Sequence, residues 1–205
     1  MSGHIQLWQE ADSGRGLLAS HVEALNELVS QLDLDVVERV GELFFQAYQA
    51  GHTVYTVGNG GSAATALHIA ADISWGRRMG DERRPKAISL AANTPIMTAL
   101  ANDVGYEDVF VEQLRGLFNP GDVVVAISAS GNSENVLRVV DFANGHGGSS
   151  VGLAGFDGGK LKGMSQLCVH VATPTGAYEL VEDVHHAVCH MLANYLKYRA
   201  ATRSG

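Results

Sequence analysis

Five short β-rich runs, at 52–57, 86–90, 122–127, 150–154 and 167–171, are separated by stretches with helical spacing, and that alternation admits few folds. The run Val123-Val124-Val125-Ala126-Ile127 has no polar residue to turn toward water, so it needs cover on both faces. A parallel sheet supplies such cover, because each crossover between neighbouring strands lays a helix on one face or the other. Helix-like segments fill the gaps at about 62–75, 94–116, 133–145 and 159–163. Ahead of the first strand, Leu17, Leu18, Val22, Leu25, Leu28, Val29 and Leu32, then Val36, Val37, Val40, Leu43, Phe44 and Tyr48, recur at helical spacing, with Gly51 as a stop. A long helix from about Glu179 to Tyr198 follows Thr173-Pro174-Thr175-Gly176. The expectation is one α/β domain spanning 1–205: a helical preface at 15–50, a sheet core at 52–172 and a final helix at 179–199. A chain of 205 residues is long enough to bury one such core and short for two.

Two of the strands run into loops of small residues. Gly58-Asn59-Gly60-Gly61-Ser62 follows the first and Ser128-Ala129-Ser130-Gly131-Asn132-Ser133 follows the third. A strand that turns through small residues into a helix exposes unpaired backbone N–H groups at the positive end of the helix dipole, a seat for an anion. Gly58, Gly60 and Ala63 match the loose dinucleotide fingerprint, but the next strand ends at Ser89-Leu90 with no acid to hold a ribose, and no Gly-Lys-Ser/Thr sequence is present. Glycine needed for a tight turn explains Gly60 and Gly61 but not the second loop, whose Ser128, Ser130 and Ser133 offer three hydroxyls in six residues. A neutral-donor cradle for one phosphate is the economical reading.

Composition narrows the partners. A formal charge of −8 opposes a broad grip on nucleic acid, which depends on many Lys and Arg contacts to phosphates. The local run Arg77-Arg78 and Arg83-Arg84 is read as a solvated loop. No apolar run approaches the roughly 18 residues of a membrane span. The first ten residues lack the basic segment and apolar core of a signal peptide, so a cytoplasmic protein is expected. Cys168 and Cys189 form no close-spaced pair and are read as buried, reduced thiols.

Titratable residues gather on two of the helices. His68 and Asp72 lie four residues apart on the helix opened by Ser62; Glu182, His186 and His190 form a stripe at the same spacing on the last helix, with Asp183 and His185 beside it. Imidazole and carboxylate together supply a general acid and base, and equally the ligands of a divalent metal. Asn102-Asp103 reads as a helix cap or as a contact to sugar hydroxyls.

The ordered set Gly58-Asn59-Gly60-Gly61-Ser62-Ala63-Ala64, His68-Ile69-Ala70-Ala71-Asp72, Ala101-Asn102-Asp103-Val104-Gly105-Tyr106, Ile127-Ser128-Ala129-Ser130-Gly131-Asn132-Ser133 and Glu182-Asp183-Val184-His185 with His190 resembles the bacterial phosphoheptose isomerases of the sugar isomerase (SIS) superfamily. The resemblance implies a flavodoxin-like α/β sandwich with a five-stranded parallel sheet. It also implies a homotetramer with sites at subunit contacts, and interconversion of sedoheptulose 7-phosphate with an aldoheptose 7-phosphate. It makes Ser62, Ser128, Ser130 and Ser133 phosphate binders, with Gly60 and Gly61 in the same loop, Asn59 and Asp103 contacts to the sugar, and Glu182 a substrate-binding residue. It places a zinc ion among His68, Asp72, Glu182 and His190, and gives His190 and Asp72 the catalytic proton transfers. Three positions depart from the family: Asp72 stands for Glu, Glu182 for Gln, and Ala129 for a threonine that assists the phosphate. Related SIS proteins without catalysis, acting as phosphosugar sensors or adaptors for a replication initiator, are the alternative.

Overall fold

The computed structural model describes residues 11–75 and 84–202. Two helices, α1 (Gly14–Ser30) and α2 (Leu34–Ala50), precede the sheet, each opened by a capping side chain. Ser13 Oγ accepts from the Gly16 amide, and the Asp33 carboxylate accepts from Asp35 and Val36. The chain then runs β1 (Thr53–Gly58), α3 (Gly60–Trp75), β2 (Lys86–Ser89), α4 (Thr94–Asp103), α5 (Val111–Arg115), β3 (Val123–Ser128), α6 (Glu134–Gly145), β4 (Ser149–Ala154), α7 (Gly159–Met164), β5 (Leu167–His170) and α8 (Tyr178–Thr202).

All strand pairings are parallel, in the order β2-β1-β3-β4-β5, as expected of a flavodoxin-like sheet. The pleat sorts β3 between two cores. Val123, Val125 and Ile127 pack with Val40, Phe44, Ile69 and Leu192 from α2, α3 and α8. Val124 and Ala126 face Leu114, Val136, Val140 and Leu161 from α5, α6 and α7. The order in which strands are added reverses between β1 and β3, and the resulting crevice lies at the carboxyl ends of those parallel strands, where both small-residue loops fall.

One expected element is divided. The helical spacing over 94–116 becomes α4, a 3-10 turn at Tyr106–Asp108, and the short α5. The Val104 and Gly105 amides both return to the Leu100 carbonyl, at 2.9 and 3.0 Å, and close the helix. Gly105 then takes φ 148, a conformation that side-chain-bearing residues rarely adopt. The turn signal at Asn102-Asp103 thus ends a helix, and the break sends Tyr106 back toward the loop after β1.

The N-terminal segment and Arg77, Arg78 and Arg83 lie outside the described residues; Arg84 donates to the Trp75 carbonyl at 3.1 Å. Both cysteines are free thiols, Cys189 buried in α8 and Cys168 half-buried in β5. Burial pushes their pKa values up to about 12 and about 11. No helix among the described residues is long and apolar enough to cross a membrane.

Asp122 ties the start of β1 to the turn before β3. Its buried carboxylate accepts from the Thr53 amide and from the Asn119 amide, both at 2.8 Å. Asp122→Ala leaves two backbone donors without their charged acceptor, so the unfolding free energy should fall by roughly 1.5–3 kcal/mol. A urea melt whose midpoint does not move would contradict this role.

Candidate active site

The two small-residue loops meet. A cavity of about 160 Å³ is lined by Asn59 and Ser62 from the first, Ile127, Ser128, Ala129, Ser130 and Ser133 around the second, and Tyr178 and Glu182 from α8. Ser128 Oγ lies 3.2 Å from Ser133 Oγ and 3.5 Å from Ser130 Oγ, so the three hydroxyls converge as the loop pattern predicts. Within the loop, the Gly131 amide donates to Ser128 Oγ at 3.1 Å and the Asn132 amide to Ser130 Oγ at 3.2 Å, which fixes the hydroxyl positions. The Ser133 side chain makes no capping bond to α6, leaving that helix start free to meet an anion.

Asn59 is held rather than free. Its Nδ2 donates to Asn135 Oδ1 at 2.9 Å, the Asn135 amide returns a bond to Asn59 Oδ1 at 3.0 Å, and the Tyr106 hydroxyl donates to the same oxygen at 2.8 Å. The amide pair joins the loop after β1 to the first turn of α6, across the crevice between β1 and β3. Gly60 and Gly61 open α3. A Cβ on Gly61 would collide with the Glu182 carboxylate, so the glycine leaves room for that carboxylate beside the cradle. Asp103, at the exposed end of α4, accepts from Asn102 Nδ2 at 2.7 Å and is not among the residues lining the cavity.

A second group lies farther along the same two helices. His68 and His190 place their Nε2 atoms 2.9 Å apart. Asp72 Oδ2 is 3.3 Å from His68 Nε2 and 3.9 Å from His190 Nε2. His186 completes the group: its ring centroid is 4.3 Å from that of His68 and 5.0 Å from that of His190. At a rise of 1.5 Å per residue, the step from Ser62 to His68 is roughly 9 Å and that from Glu182 to His190 roughly 12 Å. His68 and His190 therefore stand about two turns from the serine cavity, a span that suits a sugar chain held by one end.

The structure brings Asn59, Ser62, Ser128, Ser130, Ser133 and Glu182 together at the cavity, and His68, Asp72 and His190 together beyond it. Glu182 stands with the serines, apart from the imidazole group. Burial, reinforced by Glu179 and Asp183, raises its carboxyl above the usual range. Burial and the neighbouring His68 and His190 lower His186. Nitrogen and carboxylate donors of this kind suit zinc, and three imidazole nitrogens already lie within 4.8 Å of one another. Asn135 and Tyr178 escaped sequence reasoning because neither sits in a patterned motif. His186 was visible in the four-residue stripe, but spacing within α8 does not say which members of that stripe meet α3.

A sheet of this order with a serine cradle at its switch point defines a class: the SIS domain family profile matches residues 19–155. Among the relatives, the phosphoheptose isomerase of Akkermansia muciniphila is 36% identical over 78% of this chain and 84% of its own length. That of Helicobacter pylori is 35% identical over 90% and 94%. The structure of phosphoheptose isomerase from Neisseria gonorrhoeae aligns with a TM-score of 0.77 at 32% identity, covering 87% of this chain and 94% of that one. The chain belongs to the phosphoheptose isomerase family of SIS proteins.

His185, next to the cluster in sequence, points instead into the core. It is completely buried, and burial lowers its pKa to about 4 against a weaker opposing contact with the Ala154 backbone. An unfolded histidine takes its proton near 6.5, so between these values the unfolded chain binds more protons and stability falls as pH falls. His185→Gln should flatten the fall in urea midpoint over this pH window; a slope equal to that of the parent protein would refute the assignment.

Proposed function

We propose that this chain is an aldose-ketose isomerase of sugar phosphates, interconverting sedoheptulose 7-phosphate and D-glycero-D-manno-heptose 7-phosphate through an enediol. The observation that carries the reading is the shared placement on α3 and α8: Ser62 and Glu182 border an anion cradle, while His68, Asp72 and His190 converge farther along the same helices. The isomerase relatives support the substrate, since they match over most of their own lengths.

The hydroxyls of Ser62, Ser128, Ser130 and Ser133, with the free amides at the start of α6, bind the phosphate. Asn59, clamped by Asn135 and Tyr106, orients the sugar beside it, and Asp103 is the candidate contact to the hydroxyls farther along. Fixing one end of the chain holds the reacting carbons within reach of the imidazoles, which lowers the entropic part of the barrier. One carbon then loses a proton to a base, the C–H electron pair becomes the enediol double bond, and the carbonyl oxygen gains a proton; the enediol's other hydroxyl then gives up its proton to become the new carbonyl as the neighbouring carbon is reprotonated. His190 and Asp72 make these transfers. His190 is exposed to an entering substrate, and its pairing with His68 and Asp72 orients the ring.

The imidazoles of His68 and His190 and the Asp72 carboxylate are the groups on these helices suited to zinc, which when bound supplies a Lewis acid for the carbonyl. Retention of a carboxylate at Asp72 favours catalysis over a purely adaptor role. We also read the molecule as a cytoplasmic homo-oligomer, a tetramer by family resemblance. α1 has no buried residue and exposes Leu18 and Val22, which is the surface expected of a contact with a second copy.

Incubation with sedoheptulose 7-phosphate in deuterated water should place deuterium on the carbon next to the carbonyl. His190→Ala should lower that uptake by about 10²–10⁴-fold, the range of general acid-base catalysis, and unchanged turnover would refute the assignment. Val22→Asp should reduce the assembled mass measured by light scattering; an unaltered mass would remove α1 from the subunit contact.

A further inference from the structure

The family pattern draws its metal ligands from four positions, held here by His68, Asp72, Glu182 and His190, yet the described residues arrange their donors differently. Three imidazoles, those of His68, His186 and His190, offer nitrogens that all lie within 4.8 Å of one another. Asp72 adjoins two of them. Glu182, one turn before His186 on α8, instead lies against Gly61 and lines the serine cavity. We propose that His186 is a metal ligand in this chain, so that His68, His186 and His190 with Asp72 form a three-imidazole, one-carboxylate seat for zinc, and Glu182 serves the sugar phosphate instead.

Geometry and chemistry both support this seat. Tetrahedral zinc, with bonds of about 2.0–2.1 Å to nitrogen, sets its ligand atoms about 3.4 Å apart. The nitrogens here bracket that separation, from 2.9 Å between His68 and His190 to the 4.8 Å limit of the group. Two Nε2 atoms 2.9 Å apart cannot both aim lone pairs at each other without an electron-pair acceptor between them. With both rings protonated at Nδ1, a divalent cation accepts both Nε2 lone pairs and that of His186. The two helices impose the arrangement. His186 and His190 are one turn apart on α8, His68 faces both from α3, and the ring contacts of 4.3, 4.9 and 5.0 Å close a triangle. Three nitrogens and one oxygen favour zinc or cobalt over magnesium, which prefers six oxygens.

The geometry also accounts for the departures on these helices as a set. An aspartate at position 72 withdraws its carboxylate by one methylene relative to glutamate, and an imidazole at position 186 brings a donor in from the opposite helix. Position 182 is thereby released from the metal. Its side chain can then act where the structure places it, beside Ser62 and Tyr178.

This inference deepens the isomerase reading of the same site, and metal binding tests it without reference to turnover. Chelator-stripped full-length protein titrated with cobalt should bind one ion per chain with the visible d–d bands of a four-coordinate site. His186→Ala should weaken cobalt binding by at least about tenfold, whereas Glu182→Ala should leave the affinity unchanged. X-ray absorption of the zinc-loaded parent protein should fit three imidazoles. The parent spectrum keeps the question decidable if a variant fails to fold. Unchanged cobalt affinity in His186→Ala, a spectrum fitted by two imidazoles, or a parent protein that binds no cobalt would each overturn the assignment. Deuterium uptake is followed on the same samples. Intact metal binding without uptake would sink the isomerase reading and leave this site standing, and uptake without metal binding would do the reverse.

Discussion

Everything in the site depends on α3 and α8 lying side by side in the same direction. Pairing runs from Gly61 against Glu182 at the cradle to His68 against His190 beyond it. Small residues make the approach possible. Gly61 leaves room for the Glu182 carboxylate, while Ala66, Ile69 and Ile73 bury against the same core as Val184, Val188, Cys189 and Leu192. Apolar burial of one face of each helix sets the rotation of both. The polar faces are then forced into register, and chemistry-bearing side chains separated by more than a hundred residues of chain come within hydrogen-bond distance. A side chain added at Gly61 would displace the Glu182 carboxylate from its place at the cradle.

The site divides its electrostatic work along those helices. At the sheet end the groups are neutral: serine hydroxyls, backbone amides and a clamped asparagine, with no Lys or Arg among the lining residues. A net charge of −8 would otherwise repel a phosphate ester, so local dipoles at helix starts carry the attraction over a short range. Away from the sheet stand titratable groups, the imidazoles of His68, His186 and His190 and the Asp72 carboxylate. Glu182 stands at the boundary, and burial with two acidic neighbours makes its ionisation less favourable, which eases the approach of an anion.

Much of this could be read along the chain. The apolar strands, their order of appearance and the two small-residue loops anticipated the parallel sheet and the cradle, because a strand period and a turn composition are local properties. Strand limits shifted by a residue or so at most ends. The helix expected over 94–116 broke at Gly105, where hydrogen bonds back to Leu100 and a positive φ overrode a helical hydrophobic pattern. The serines converged as the loop spacing required. The roles of Asn135 and Tyr178 were illegible, since each depends on a partner far away in sequence.

The sequence alone therefore determined the layers, the position of the serine-bearing loops and the helices that carry the histidines and carboxylates, since each follows from local periodicity and turn chemistry. Only the tertiary structure decided how the α8 stripe is shared out. Glu182, His186 and His190 are equivalent by helical spacing, but α3 meets them at different heights, so the carboxylate faces the serines while both imidazoles face His68. The physical reason is that a helix presents a face at regular intervals, and it is the neighbour packed against that face which gives each position its own surroundings.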